Sequence, residues 1–140
     1  MFNFLMQFTN SGKISAATTE EQRACLEAVI LTLCNDRLLT FMEQWEFQQL
    51  VKRIRWRFNA KAEIPHIWEK AQAALQDSEK WAAYLANINE NICNKKVARA
   101  IFLICEDIGY DSTYLLDRQL QQQLREAILS APSQSGLKTS

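Results

Sequence analysis

Acidic residues recur at corresponding places in the two halves of this 140-residue sequence. Asp36 follows one apolar helical segment, Asp107 follows another, and Glu43 lies a short turn after Asp36. A carboxylate at the C-terminal end of a helix faces the negative end of the helix dipole, which costs roughly a few tenths of a kcal/mol. Because this unfavourable choice is made twice, it invites a functional reason. Carboxylate oxygens are the ligands of hard cations such as Ca²⁺ and Mg²⁺, so one hypothesis is a divalent-cation site.

A structural interpretation competes with the cation site in the first half. Thr40 and Glu43 have the spacing of a capping box, in which the two residues close the start of a helix. Asp36 can hydrogen-bond within its own turn. Arg37 is a third consideration, because a guanidinium beside the carboxylates competes with a metal ion.

The acidic turn of the second half does not have the spacing of an EF-hand loop. Counting from Asp107, the third position is Gly109 and the twelfth is Arg118, where an EF-hand has a bidentate Glu. The alternative to a cation site is a solvated turn in which Asp111 caps the next helix. The candidate metal ligands of the whole chain are Asp36, Glu43, Asp107 and Asp117.

Other arrangements that do chemistry are missing from the sequence. His66 is the single histidine, which excludes an H-E-x-x-H zinc site and gives no basis for a Ser-His-Asp or Cys-His arrangement. No glycine-rich phosphate loop occurs among only three glycines. We therefore expect a protein that is not an enzyme and has no cofactor other than a possible divalent cation.

One basic cluster interrupts the balanced charge pattern. Its members are Lys52, Arg53, Arg55, Arg57 and Lys61, interleaved with Trp56 and Phe58. Cations and aromatic rings together are typical of nucleic-acid or phosphate binding. The chain, however, has 16 basic and 16 acidic residues and a formal net charge of zero, which disfavours a nucleic-acid partner. The alternatives are a solvated helix face and a surface that docks an acidic protein partner.

Helices are the elements that must position these residues. Apolar residues recur at helical spacing in six segments, which are 20–35, 41–58, 65–75, 78–92, 94–108 and a last segment that begins at 111–113. Residues 9–19 are polar and predict a linker, and residues 131–140 predict a flexible tail. The apolar residues of 1–8 predict a short helix that docks on the bundle or on a second copy of the chain, in a homodimer. The four tryptophans are predicted to pack in the core and between helices, rather than to form a ligand cage.

Composition is consistent with one soluble helical domain over residues 20–130, preceded by the N-terminal segment 1–19. No apolar run approaches the roughly 20 residues that span a bilayer, and residues 1–8 lack the features of a signal peptide. Cys25, Cys34, Cys93 and Cys105 form no C-x-x-C pair and are predicted to be buried free thiols. These features favour a cytoplasmic location.

The apolar pattern also repeats at an offset of 71 residues. Leu33 then falls on Ile104, Cys34 on Cys105, Asp36 on Asp107 and Glu46 on Asp117. Each copy is an apolar helix, an acidic turn, a capped start and a second helix. The repeat predicts an all-α bundle of six to seven helices with two pseudo-repeated helical hairpins.

The acidic turn of the first copy resembles the motif of the TerB-like family, named for tellurite resistance. Asp36, an aliphatic residue, Thr40 and Glu43 lie at the family spacing, whereas Arg37 stands where the family has glycine. The second copy has Asp107, with its glycine displaced by one position. This resemblance implies a non-enzymatic helical bundle linked to tellurite resistance and stress response, with acidic turns that bind metal ions. The alternative function is a helical protein–protein interaction module with no metal site.

Overall fold

The computed structural model describes residues 4–35, 40–108 and 118–139, and it describes side chains for 9–35, 40–108 and 118–131. These residues form seven α-helices and contain no strand, so the predicted all-α bundle is confirmed. The helices are α1 Phe4–Ser15, α2 Thr19–Cys34, α3 Phe41–Arg53, α4 Ala60–Ala74, α5 Ser78–Asn91, α6 Lys95–Ile108 and α7 Arg118–Thr139.

Helix α2 is the centre of the bundle. Nearly all of its residues from Glu21 to Leu33 are buried, and it packs against α4, α5 and α6. A helix that is buried around most of its circumference requires other helices to cover it on several sides. Helix α7 in turn packs against α5 and α6, and it contributes Leu124 and Ile128 to the core.

The predicted starts of α2, α3 and α5 are confirmed. Thr18 and Glu21 form a capping box at α2, and Thr40 and Glu43 form another at α3. The side chain of Asp77 accepts hydrogen bonds from two backbone N–H groups at the start of α5. These side chains satisfy N–H groups that have no partner within their own helix.

The N-terminal segment differs from the predicted linker. Residues 9–15 belong to α1, which packs mainly against α6, so the interpretation of 9–19 as a polar linker is wrong for most of its length. Asn10, Ser11 and Ile14 lie on one face of α1 and are buried. Two of these three residues are small and polar, which hides the buried face from a search for apolar periodicity. The predicted N-terminal helix is present, whereas the docking of the side chains of 1–8 lies outside the described side chains.

The segment between α3 and α4 also differs from its prediction. Helix α3 ends at Arg53, and α4 begins at Ala60 with Asn59 as its cap, so the helix predicted to continue to Phe58 is interrupted by a loop. Gln22 on α2 is fully buried and holds this loop in place through hydrogen bonds to its main chain. Its amide nitrogen donates to the carbonyl of Arg55 at 3.0 Å, and its amide oxygen accepts from the N–H of Arg57 at 2.8 Å. These bonds to the main chain compete with helical ones.

Two helix boundaries also differ from those predicted from the sequence. Pro65 was predicted to lie in the first turn of its helix but lies inside α4, one turn further on. Helix α7 continues to Thr139, through the residues 131–139 that were predicted to be a flexible tail. The predicted caps at 111–113 lie outside the described residues.

The two predicted helix pairs have different surroundings. Helices α6 and α7 pack extensively against each other, whereas the contacts of α3 are mainly with α1 and α6. The superposition of the two pairs that the repeat implies stays a prediction.

The cysteines and tryptophans follow their predictions only in part. All four cysteines are free, but only Cys25 and Cys105 are buried, and Cys93 is exposed. Trp81 is buried, whereas Trp45 is 45% exposed, so the prediction of a core position is wrong for Trp45.

Candidate functional site

The start of α3 holds Glu43 through its capping box. The Glu43 carboxylate accepts hydrogen bonds from the backbone N–H of Thr40 at 3.0 Å and from its hydroxyl at 2.8 Å. The hydroxyl oxygen of Thr40 accepts from the backbone N–H of Glu43 at 3.1 Å. The capping interpretation of this pair is therefore confirmed, and one carboxylate oxygen of Glu43 is committed to it.

Glu46 lies one turn further along α3 and is buried, with 6% of its surface exposed. Burial, and then the negative charges of Asp107 and Glu43, together raise the pKa of Glu46 from its usual 4.5 to about 6. Among the residues that the structure describes, no Lys, Arg or His lies within ion-pair distance of Glu46. We call Glu43, Glu46 and Asp107 the acidic cluster; it lies where α3 meets α6.

The acidic cluster contains two of the four predicted metal ligands. The negative charges of Glu43 and Asp107 both raise the pKa of Glu46. Asp36 and Asp117 lie outside the described residues. Within 4–35, 40–108 and 118–139, no group of three or more His, Cys, Asp or Glu side chains has an arrangement that holds a metal ion. The predicted convergence of Asp36 and Asp107 stays a prediction.

Sequence reasoning missed Glu46 as a member of this site. Two signals point to it: it is the one charged residue on the buried face formed by Phe47, Leu50 and Val51, and it lies one turn after Glu43. A carboxylate on an apolar helix face is rarely buried unless it has a partner.

The outward side of α3 carries an unusual concentration of exposed apolar surface. Phe41 is 83% exposed, Met42 59% and Trp45 45%. These three side chains, which we call the α3 outer face, lie within the first two turns of the helix. The opposite side of α3 is buried, and Phe47 there packs edge-on against Trp68 with 6.3 Å between the ring centroids. Helix α3 is therefore apolar on both its inner and its outer side.

The basic cluster lies at the end of α3 and in the loop to α4. Lys52, Arg55 and Arg57 are exposed, as predicted for solvated side chains. The two interleaved aromatic rings are in use within the protein: Trp56 packs edge-on against Phe58, and the guanidinium of Arg23 lies 4.5 Å from the centroid of the Phe58 ring. This arrangement weakens the nucleic-acid interpretation, which needs aromatic faces that are open to stack on bases.

No family model, no curated protein and no solved structure matches this chain. In the described part of the chain, none of the helices combines the length and apolar character that a membrane span requires.

Proposed function

We propose that this chain is a non-enzymatic helical protein of the cytoplasm that works by binding another protein chain through the α3 outer face. The partner that we propose for this face is a second copy of the chain. The exposure of Phe41, Met42 and Trp45 is the observation that carries the proposal. The TerB-like role in tellurite resistance and stress response is part of the proposal and has its support in the sequence motif alone.

The energetics of exposed apolar side chains support an interface. Leaving a large apolar side chain in water forgoes about 1.5–3 kcal/mol relative to burying it. Soluble monomers rarely gather such side chains into one patch unless the patch binds something. Phe, Trp and Met are also the residue types that are enriched in protein interfaces. A helix face with three of them is therefore suited to packing against another helix.

The charge balance supports a second copy as the partner. The formal net charge of the chain is zero, so two copies meet without net electrostatic repulsion. A two-fold axis through the α3 outer face would place the same apolar surface on both sides of the interface, which is complementary by construction.

Sedimentation equilibrium of the full chain tests this proposal. We expect the wild type to form a dimer, and Trp45→Gln to weaken the dimer by about tenfold or more, since about 1.4 kcal/mol of lost burial corresponds to tenfold. Leu129→Gln is the matched control, because Leu129 on α7 is 46% exposed, like Trp45. A wild type that stays monomeric at every attainable concentration would contradict the proposal, and so would equal effects of the two variants.

A divalent cation at the acidic cluster is a second candidate function, favoured by one observation. Glu46 is a buried carboxylate with two further carboxylates nearby and no basic partner among the described residues. A Ca²⁺ or Mg²⁺ ion would relieve this repulsion, and the oxygen donors are of the type that these cations prefer. In this proposal Glu43 and Asp107 contribute ligands, together with Asp36 and Asp117, as the family resemblance implies.

Thermal unfolding with and without millimolar CaCl₂ or MgCl₂ tests the cation site. At 100 times the dissociation constant, a bound ion adds about 2.7 kcal/mol to the free energy of unfolding. We expect Asp107→Asn to abolish this shift and Glu90→Gln to leave it unchanged, because Glu90 is an exposed residue of α5 outside the cluster. A wild type that shows no shift with either ion would exclude the cation and leave the interaction module.

A further inference from the structure

A groove between α1 and the end of α3 has features that neither proposed function uses. Its volume is about 500 Å³, and it is lined by Ser11, Gly12, Ser15, Ala16, Arg53 and Arg55. This volume lies within the roughly 300–1,000 Å³ that is typical of small-molecule sites. One wall consists of small residues at the end of α1 and immediately after it, and the other contains two arginines.

Ser11 is the first sign that this groove takes a ligand. Its side chain is 1% exposed, and its hydroxyl oxygen has no hydrogen-bond partner in the described structure. Buried hydroxyls almost always have a partner, because burial without one costs about 1–3 kcal/mol. The neighbouring Ser15 differs, since its hydroxyl donates to the carbonyl of Ser11 at 3.0 Å and accepts from the N–H of Arg55 at 3.0 Å.

Arg55 is held in place by its main chain, which leaves its side chain available. Its N–H donates to the hydroxyl of Ser15, and its carbonyl accepts from the buried amide of Gln22 at 3.0 Å. The guanidinium is exposed, and no carboxylate of the described residues forms an ion pair with it. The backbone of residue 55 is therefore ordered before an anion binds, and only the side chain has to lose freedom.

We infer that this groove binds the phosphate group of a small phosphorylated molecule. Arg53 and Arg55 supply positive charge that matches a phosphate dianion, and guanidinium groups bind phosphate oxygens in a bidentate manner. The hydroxyl of Ser11 supplies a further donor to a phosphate oxygen. At Gly12, an added Cβ would meet no atom within 4 Å, so the space beside this residue is open to the rest of the ligand.

Isothermal titration of the full chain with glycerol 3-phosphate tests the charge of the site. Arg55→Gln should weaken binding by about tenfold or more, whereas Lys52→Gln should leave it nearly unchanged. The two variants remove the same charge from the same cluster, but Lys52 does not line the groove. Arg55→Gln should fold normally, because the bonds that hold residue 55 use its main chain. Failure of the wild type to bind would overturn the inference, as would equal weakening by both variants.

Gly12→Leu tests the position of the ligand independently of charge. An added Cβ at residue 12 would meet no atom within 4 Å, and leucine has a higher helix propensity than glycine, so the melting temperature should not fall. The side chain would occupy the groove, and binding of glycerol 3-phosphate should be lost. Unchanged binding by this variant would contradict the proposed site. Binding only to vesicles that contain phosphatidic acid, with none to glycerol 3-phosphate, would overturn the assignment to a small molecule.

Discussion

Glu46 illustrates how a single buried carboxyl group sets a pH dependence. Its pKa is raised to about 6 in the folded protein, from a usual value of 4.5, mainly by burial and then by Asp107 and Glu43. The folded state therefore binds more protons than the unfolded state between these two values. The contribution of protonated Glu46 to stability is fully present below about pH 4.5 and is lost as the pH rises through about 6.

We predict that Glu46→Gln stabilises the protein at neutral pH. The neutral amide removes the cost of a buried charge, so the free energy of unfolding at pH 7 should rise by about 1 kcal/mol. Below about pH 4.5, where Glu46 is protonated, the variant and the wild type should be nearly equal. Urea unfolding from pH 4 to pH 8 measures this difference. A constant difference across the pH range would contradict the assignment to Glu46.

Glu27 is a second carboxylate whose pKa is raised in the folded protein, so its contribution to the pH dependence must be separated from that of Glu46. Burial also raises its pKa, but the nearby Lys70 and a side-chain hydrogen bond from Asn87 act in the opposite direction. The amide of Asn87 lies 3.0 Å from both carboxylate oxygens, and the ammonium of Lys70 lies 4.0 Å from one of them. Because Glu27 is the same in both proteins, its pH dependence cancels in the difference.

At the scale of elements, one carboxylate connects the starts of two helices. One oxygen of Glu21 closes the capping box of α2 with Thr18. The other accepts from the N–H groups of Cys93 and Asn94, both at 3.0 Å, immediately before α6. The side chain of Asn94 then accepts from two N–H groups in the first turn of α6. The positions of α2 and α6 relative to each other therefore depend on Glu21.

We predict that Glu21→Ala costs about 3 kcal/mol of stability, whereas Glu43→Ala costs about 1 kcal/mol or less. Both residues close a capping box with a threonine, so the pair differs mainly in the bonds that Glu21 makes to the second helix. Removal of Glu43 also relieves part of the repulsion on Glu46. Chemical denaturation of the two variants measures the difference. Equal losses would indicate that the bonds to Cys93 and Asn94 contribute nothing.

For the whole molecule, the features predicted from sequence were those set by residues close together in the chain. The capping boxes of Thr18 and Thr40 each involve residues three positions apart, and the apolar residues Leu26, Ile30 and Leu33 of the central helix α2 recur at helical spacing. These local signals are sufficient to identify most helices and the bundle that they form.

The features that sequence reasoning missed depend on contacts between distant residues. The loop at 54–59 results from bonds to Gln22 on α2, which no local pattern around Ile54 reveals. The groove exists because α1 brings Ser11 next to Arg55, and polar residues on α1 concealed that this segment is a buried helix. The acidic cluster likewise needs α3 and α6 to meet.

The hydrogen bonds of Gln22 restrict which residues can replace it in evolution. Its amide donates to the carbonyls of Ile14 and Arg55 and accepts from the N–H of Arg57. A glutamate has the same shape but would place one carboxylate oxygen against the carbonyl oxygens of Ile14 and Arg55, and a leucine would remove all three of these hydrogen bonds. An aliphatic residue elsewhere in the core accepts exchange for another at modest cost. Most interior positions of this chain can therefore change in evolution one at a time. A single substitution at Gln22, in contrast, would disturb α1 and the α3–α4 loop together.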